Sequence, residues 1–313
     1  MKKVSVAVIG HGFLGKWHVQ KALALHSICE LKAIVEANTQ QHVTLKNLYP
    51  HVKITAHLKE ILDDIEAAIV VTPTSYHFSV CKELLVANKH VFCEKPLAST
   101  LEQSQDLALF AKKNHLLLQV GHSERCHAIW PEAKSWLASD TNHPSKALVT
   151  IKRYAPFKGR ATDVDVVQDL MIHDIDLMLW IYGDAIEKIE AIGFRSLSSF
   201  WDHVEATFTF KNGTKVSIQS GRHHVEEVRE LIHSDHRGTF KLDLFRNCGL
   251  SSFQSSQSTE VKALSWEKRD HLLVEQEAFY RSLLYNEPIF VSAQEGCRAV
   301  DLVEKVLKSL SHG

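Results

Sequence analysis

A chain of 313 residues, 45% of them hydrophobic and 23% charged, is long enough for two cores and divides more naturally than it closes around one. Its 36 Lys and Arg stand against 37 Asp and Glu, a net charge of −1, so no overall positive field exists to hold nucleic acid or an anionic membrane surface. No segment approaches the run of about 18 apolar residues from which a membrane span is read.

The opening MKKVSVAVIGHGFLG has the basic-then-apolar outline of a secretory signal. His11 and the glycines break that outline and turn it into a first strand at 4–9 running into a glycine turn, so the protein is expected to stay in the cytoplasm. Cys29, Cys81, Cys93, Cys126, Cys248 and Cys297 contain no CxxC pair, which points to buried thiols in a reducing compartment. Most of the 20 histidines are isolated, and no metal site is expected.

Further strands are expected at 31–36, 68–72, 90–93 and 116–121. Helical spacing at 15–25, around Glu60, at 79–87 and at 101–114 separates them. Strands alternating with helices make an α/β, doubly wound parallel sheet, a Rossmann domain over 1–121. From 122 to 313 the rhythm becomes α+β, with a large, mainly antiparallel open sheet. A helix is expected at 128–137, a strand at 146–154 and a helix at 166–182. Long strands then fill 187–244, among them 204–210 and 215–221, joined by the hairpin signal Lys211-Asn212-Gly213-Thr214. A polar loop is expected at 251–258. Helices follow at 271–284 and 293–309, with Pro288 stopping growth between them.

Gly10-His11-Gly12-Phe13-Leu14-Gly15 is a GxGxxG set directly after a strand and opening a helix. There the backbone can approach a pyrophosphate and the helix N-terminus can hold it. Glu36 falls about twenty residues further on, where an acid takes the adenosine ribose hydroxyls and repels a 2′-phosphate. The expected cofactor is NAD, bound by Gly10, Gly12, Phe13, Leu14, Gly15 and Glu36.

Glu94-Lys95-Pro96 closes the strand at 90–93. With it stand Thr72-Pro73-Thr74 and His77, Val120-Gly121-His122 with Glu124 and Arg125, and the run Asp169-Leu170-Met171-Ile172-His173-Asp174-Ile175-Asp176. Together these span most of the chain, which resembles the family of glucose–fructose oxidoreductase, inositol dehydrogenase and rhizopine catabolism proteins (Gfo/Idh/MocA). The resemblance implies further cofactor contacts at Thr72, Pro73, Thr74, His77, Glu94 and Lys95. It makes Lys95, Asp169 and His173 the catalytic residues.

The chemistry of those types agrees. Asp169 and His173, four apart, share a face if their segment is helical. Oxidising a secondary alcohol needs a base for the hydroxyl proton, a role that suits His at neutral pH. Asp169 then orients the ring or holds a neighbouring hydroxyl, and Lys95 stabilises the developing alkoxide. Lys95 and His173 can exchange roles. Each residue also has a plain alternative: a surface lysine, an acid at a helix N-terminus, a core histidine, or, for Asp169, His173 and Asp176 together, a metal site, which ordinarily needs about three well-placed ligands.

The run around Asp169 is most similar to a branch of the family that oxidises the 3-hydroxyl of a UDP-N-acetylhexosamine to a 3-keto sugar on the way to lipopolysaccharide. Other branches use free sugars or inositols, and a chain without turnover would be an NAD-binding sensor or scaffold. The expected substrate contacts are Lys95, His122, Arg125, Tyr154, Arg160, Asp169 and His173, with Lys158 a further cation for a pyrophosphate. Arg125-Cys126-His127-Ala128 departs from the branch pattern, so its substrate assignment is the weaker one. Family members pair their open sheets, which implies a homodimer or homotetramer.

Overall fold

The computed structural model describes residues 2–137, 146–157, 159, 164–196, 199–254 and 259–310. Six strands, β1 (Val4–Ile9), β2 (Cys29–Val35), β3 (Lys53–Thr55), β4 (Ala67–Val70), β5 (His90–Glu94) and β6 (Leu118–Gly121), pair in the order β3-β2-β1-β4-β5-β6. All five pairings are parallel. The connecting helices α1 (Gly15–Ala24), α2 (His42–Leu48), α3 (Thr74–Val86) and α4 (Leu101–Lys113) account for the unbroken apolar runs, since a sheet covered on both faces must be apolar on both. Val6 and Val8 enter one core and Ala7 and Ile9 the other. β3 and α2 carry too few periodic residues to be anticipated, and the helix expected around Glu60 is a 3₁₀ stretch, Leu58–Asp64.

The later part forms a sheet of eight strands: β7 (Leu148–Tyr154), β8 (Ile186–Phe194), β9 (His203–Phe210), β10 (Lys215–Gly221), β11 (Val228–Asp235), β12 (Gly238–Asp243), β13 (Cys248–Gln254) and β14 (Thr259–Ser265). Their order is β14-β13-β12-β11-β7-β10-β9-β8. Only β7 and β10 run parallel among these pairings. The Asn212-Gly213 turn joins β9 to β10 as expected, with Gly213 at φ +85° and Thr214 N–H donating to the Asn212 side chain at 3.0 Å. Helix α5 (Trp130–Leu137) precedes the sheet, and α6 (Ile172–Tyr182) follows β7 after a π-helical turn, Val167–Met171. A loop was expected from 251, but β13 runs to Gln254: Ser251 and Ser252 pair with Phe240 and Thr239 on one side and with Lys262 and Val261 on the other. Ladder hydrogen bonds there outweigh the turn preference of serine.

Two helices end the described chain, α7 (His271–Tyr285) and α8 (Ala293–Leu310). Asp270 caps α7 by accepting from Leu273 N–H at 3.2 Å, and Asn286 ends it at φ +55°, two residues before Pro288. Ser292 and Glu295 form a reciprocal capping box on α8.

The chain divides into two compact units, Met1–Ser123 with Asp270–Val300, and Glu124–Arg269 with Asp301–Gly313. A single cut at 121 therefore misplaces α7. Phe279 and Tyr280 of α7 are fully buried in the core that holds Val4, Val6 and Phe92, and the Phe279 and Phe92 rings meet edge-on at 6.0 Å. An apolar face that completes the first sheet must belong to it, whatever its place in the sequence.

Candidate active site

The three glycines of the first turn do different work. Gly10 sits at φ +97°, where an added Cβ would lie 2.8 Å from the Val71 carbonyl oxygen. A Cβ on Gly15 would fall 2.1 Å from the Gly10 carbonyl oxygen, while one on Gly12 would meet nothing within 4 Å. The first and third glycines thus close the turn, and the second leaves open space beside the backbone. Helix α1 starts at this point with no capping side chain and no acid in its first turn, so no side chain of its own answers its N-terminal dipole. Beside it the Glu36 carboxylate accepts from His11 N–H and Asn38 N–H, each at 2.8 Å. An open cradle, an uncapped helix and a fixed carboxylate fit the pyrophosphate and ribose of NAD. Phe13 is exposed at the turn's tip and Leu14 is half-buried.

Gly12→Ala is expected to leave the melting temperature in place while weakening NADH binding. Gly15→Ala should lower the melting temperature and raise the Kd for NADH by about 100-fold, roughly 2.7 kcal/mol. Thermal melts and fluorescence titration separate the two; equal behaviour of both variants would contradict these roles.

At the ends of β4 and β5, Thr72 and Thr74 are half-buried and Pro73 is exposed. His77, 1% exposed, lies 2.8 Å from the carbonyl oxygens of both Thr72 and Pro96. Burial pulls its imidazole below the ordinary range despite those two acceptors. It ties the two loops together from beneath and does not face outward. Lys95 is half-buried and its bond to Pro96 is cis. Glu94 is buried, accepting from Lys95 N–H at 3.2 Å and lying 2.8 Å from His18 Nε2. His122 is buried as well.

In the second unit the acid-rich run separates into two sets. Asp174 and Asp176 turn inward and are buried, whereas Asp169 and His173 remain half-buried. Arg153 grips both oxygens of Asp174 at 2.8 and 2.9 Å and reaches Glu124 Oε1 at 2.9 Å. Glu124 also meets His127 at 3.0 Å and Arg229 at 3.3 Å. Burial alone would raise the Glu124 carboxyl, but Arg153, His127, Arg229 and the nearby His173 hold it well below the usual range. A cleft beside this cluster is lined by Arg153, Tyr154, Phe157, Asp169, Arg222 and Arg229.

Arg125 does not fit its expected role at a pyrophosphate. Its side chain is 2% exposed and pairs bidentately with Asp176 at 2.8 and 2.6 Å, because α6 presents that carboxylate to it from 51 residues away. The same pair removes Asp176 from any metal set with Asp169 and His173. Tyr154 lines the cleft, stacked on His224 at 4.6 Å with its hydroxyl donating to Gln219 at 3.0 Å. Arg160 and Lys158 lie outside the described residues. Five of the six cysteines are buried free thiols, and Cys248 is exposed. Arg229 and Phe157 of the cleft carry no motif, and nothing short of the fold brings them to Asp169.

An open glycine cradle on a 3-2-1-4-5-6 parallel sheet, with a fixed carboxylate beside it, defines a dinucleotide-binding fold. Residues 4–122 match the oxidoreductase family with an NAD-binding Rossmann fold, and residues 140–238 match the GFO/IDH/MocA C-terminal domain. The chain belongs to this Gfo/Idh/MocA family, and its cofactor is NAD. It is 28% identical to the UDP-N-acetylglucosamine 3-dehydrogenase of Acidithiobacillus ferrooxidans over 96% of this chain and 95% of that protein. A solved structure of that enzyme superposes with a TM-score of 0.89, covering 100% of this chain and 99% of the other at 28% identity. The myo-inositol 2-dehydrogenase of Thermotoga maritima is 25% identical over 97% of this chain and 96% of that protein.

Proposed function

We propose that the protein oxidises the 3-hydroxyl of a UDP-N-acetylhexosamine to the 3-keto sugar, in the cytoplasm, as a step towards lipopolysaccharide. The full-length similarity to a UDP-N-acetylglucosamine 3-dehydrogenase carries this reading. NAD supplies the hydride acceptor. His173 takes the hydroxyl proton, Asp169 orients the imidazole or holds a neighbouring hydroxyl, and Lys95 stabilises the developing alkoxide. Since Arg125 is committed to Asp176, the substrate's anionic groups fall to Arg229, which lines the cleft with Asp169 and would exchange its partly exposed contact with Glu227 for them. The similarity to a myo-inositol 2-dehydrogenase over nearly the whole chain supports a second reading, oxidation of a cyclitol or free sugar by the same residues. Among the described residues no helix is long and apolar enough to cross a membrane. Ile192, Phe194 and Val261 are exposed on strands of the eight-stranded sheet, which supports a homodimer or homotetramer formed through that sheet.

The test mixes protein and NAD with a panel of UDP-sugars, free hexoses and inositols, follows NADH absorbance, and reads the oligomer by light scattering. Turnover confined to UDP-N-acetylhexosamines is the expected result. Turnover only on a cyclitol or free sugar overturns the substrate and keeps the chemistry. NADH binding with no turnover on any member, even with a keto-acid present to recycle the cofactor, makes the protein a sensor. A monodisperse monomer removes the oligomer.

A further inference from the structure

A buried file of side chains runs behind Lys95 within the first unit. Glu94 Oε1 lies 2.8 Å from His18 Nε2, His18 Nδ1 lies 2.7 Å from Gln276 Nε2, and the Tyr280 hydroxyl donates to Gln276 Oε1 at 3.0 Å. His18, Gln276 and Tyr280 are 0% exposed and Glu94 is 7% exposed. One contact orients the whole file. The Gln276 nitrogen that faces His18 Nδ1 also lies 3.1 Å from the His18 main-chain carbonyl oxygen. A carbonyl oxygen only accepts, so that atom is the amide NH2 and the Tyr280 hydroxyl meets the amide oxygen. His18 Nδ1 is then an acceptor, the ring hydrogen resides on Nε2, and it is donated to Glu94. The other Glu94 oxygen accepts from Lys95 N–H at 3.2 Å. Both carboxylate oxygens therefore face donors, an arrangement that favours the ionised form even in a buried site. Burial pushes the Glu94 carboxyl up, and His18 together with the Lys95 charge more than offsets it, leaving it below the ordinary range.

The place of this charge follows from the sheet. Glu36 ends the β2 side, where the adenosine half of a dinucleotide belongs, and the strand order reverses between β1 and β4. The nicotinamide half then belongs over β4 and β5, and Glu94 is the last residue of β5. An oxidised nicotinamide ring carries a positive charge and a reduced one does not. We propose that the Glu94–His18–Gln276–Tyr280 file fixes a negative charge at the nicotinamide half of the site and so favours the oxidised over the reduced cofactor, with Gln276 setting that charge through the His18 tautomer. The inference needs NAD as the cofactor and no particular sugar, so it and the substrate reading fail separately.

The experiment measures Kd for NAD+ and for NADH by calorimetry in the wild type, Glu94→Gln and Gln276→Met. Nitrogen NMR of ring-labelled histidine in the wild type reads the His18 tautomer. Glu94→Gln is expected to raise Kd for NAD+ relative to that for NADH by about tenfold, roughly 1.4 kcal/mol. Gln276→Met should move the ratio the same way by less, because the amide no longer reinforces the Nε2–H tautomer and the ring is held to Glu94 by that one contact alone. The wild-type ring should show the Nε2–H tautomer. Should Glu94→Gln fail to fold, the Gln276 variant and the spectrum decide. An unchanged ratio, equal weakening of both cofactor forms, or an Nδ1–H tautomer in the wild type overturns the proposal.

Discussion

Lys95→Ala and His173→Ala are each expected to lower kcat by about 10²–10⁴-fold, the range for removal of a positioned acid–base group. NADH should still bind His173→Ala within about threefold, because the cradle of Gly10, Gly12, Gly15 and Glu36 is untouched, whereas Lys95→Ala also removes an expected cofactor contact. For His173 the effect follows from its surroundings as well as its type. Glu124 is buried close by, and its carboxyl is held well below the usual range by Arg153, His127 and Arg229, with His173 a smaller contributor. Asp169→Asn should cost less than His173→Ala if Asp169 only orients the ring. Steady-state kinetics on the substrate found in the panel, with NADH titrations alongside, make the check. A His173→Ala enzyme that keeps more than half of the wild-type kcat would remove His173 from the reaction and leave Lys95 as base.

Legibility in the sequence followed the range of the interactions. The glycine turn, Glu36 and the hairpin at Asn212-Gly213 depend on residues within a few positions of one another or within one strand–turn–helix unit, and each stands where the sequence puts it. The acid-rich run was readable as a site but not as two sets, because a spacing of four cannot say which carboxylates face a guanidinium. Arg153 and Arg125, 21 and 51 residues from their partners Asp174 and Asp176, decide that. The guanidinium fork of Arg125 suits a phosphate, and local spacing does not reveal that Asp176 occupies it. The Gln276–His18 contact joins residues 258 apart and depends on α7 packing against the first sheet, for which no local pattern exists. The β13 serines misled for the opposite reason: local preference spoke for a loop, and pairing on both sides overruled it.

Arg153→Met is expected to reduce stability by about 4 kcal/mol at neutral pH, within the range for breaking a buried ion pair by removing one partner. Arg153 bridges Glu124 and Asp174, and all three side chains are at most 5% exposed. Methionine fills similar volume, so the loss is electrostatic. Glu124 keeps His127 and Arg229, whereas Asp174 loses the guanidinium that holds both its oxygens. The pH dependence has a definite sign. In the wild type the Glu124 carboxyl is held well below its unfolded value, so its contribution is complete above the ordinary carboxylate range and is lost as pH falls through the depressed folded value. Burial already pushes the Asp174 carboxyl above the ordinary range in the wild type despite Arg153; in the variant Asp174 loses that guanidinium and rises further, so acid relieves it and the variant recovers. The relief of Asp174 narrows the gap between the proteins as pH falls from 7 towards about 4, and the loss of the Glu124 contribution sets in only below the ordinary carboxylate range. Urea unfolding at both pH values measures it, and a gap that is constant or widens in acid would show that packing, not charge, holds this cluster. A functional cost is expected through α6: Asp174 adjoins His173, and freeing its carboxylate releases the first turn of the helix that carries His173. A fall in kcat larger than the change in KM is the expected signature in the folded variant.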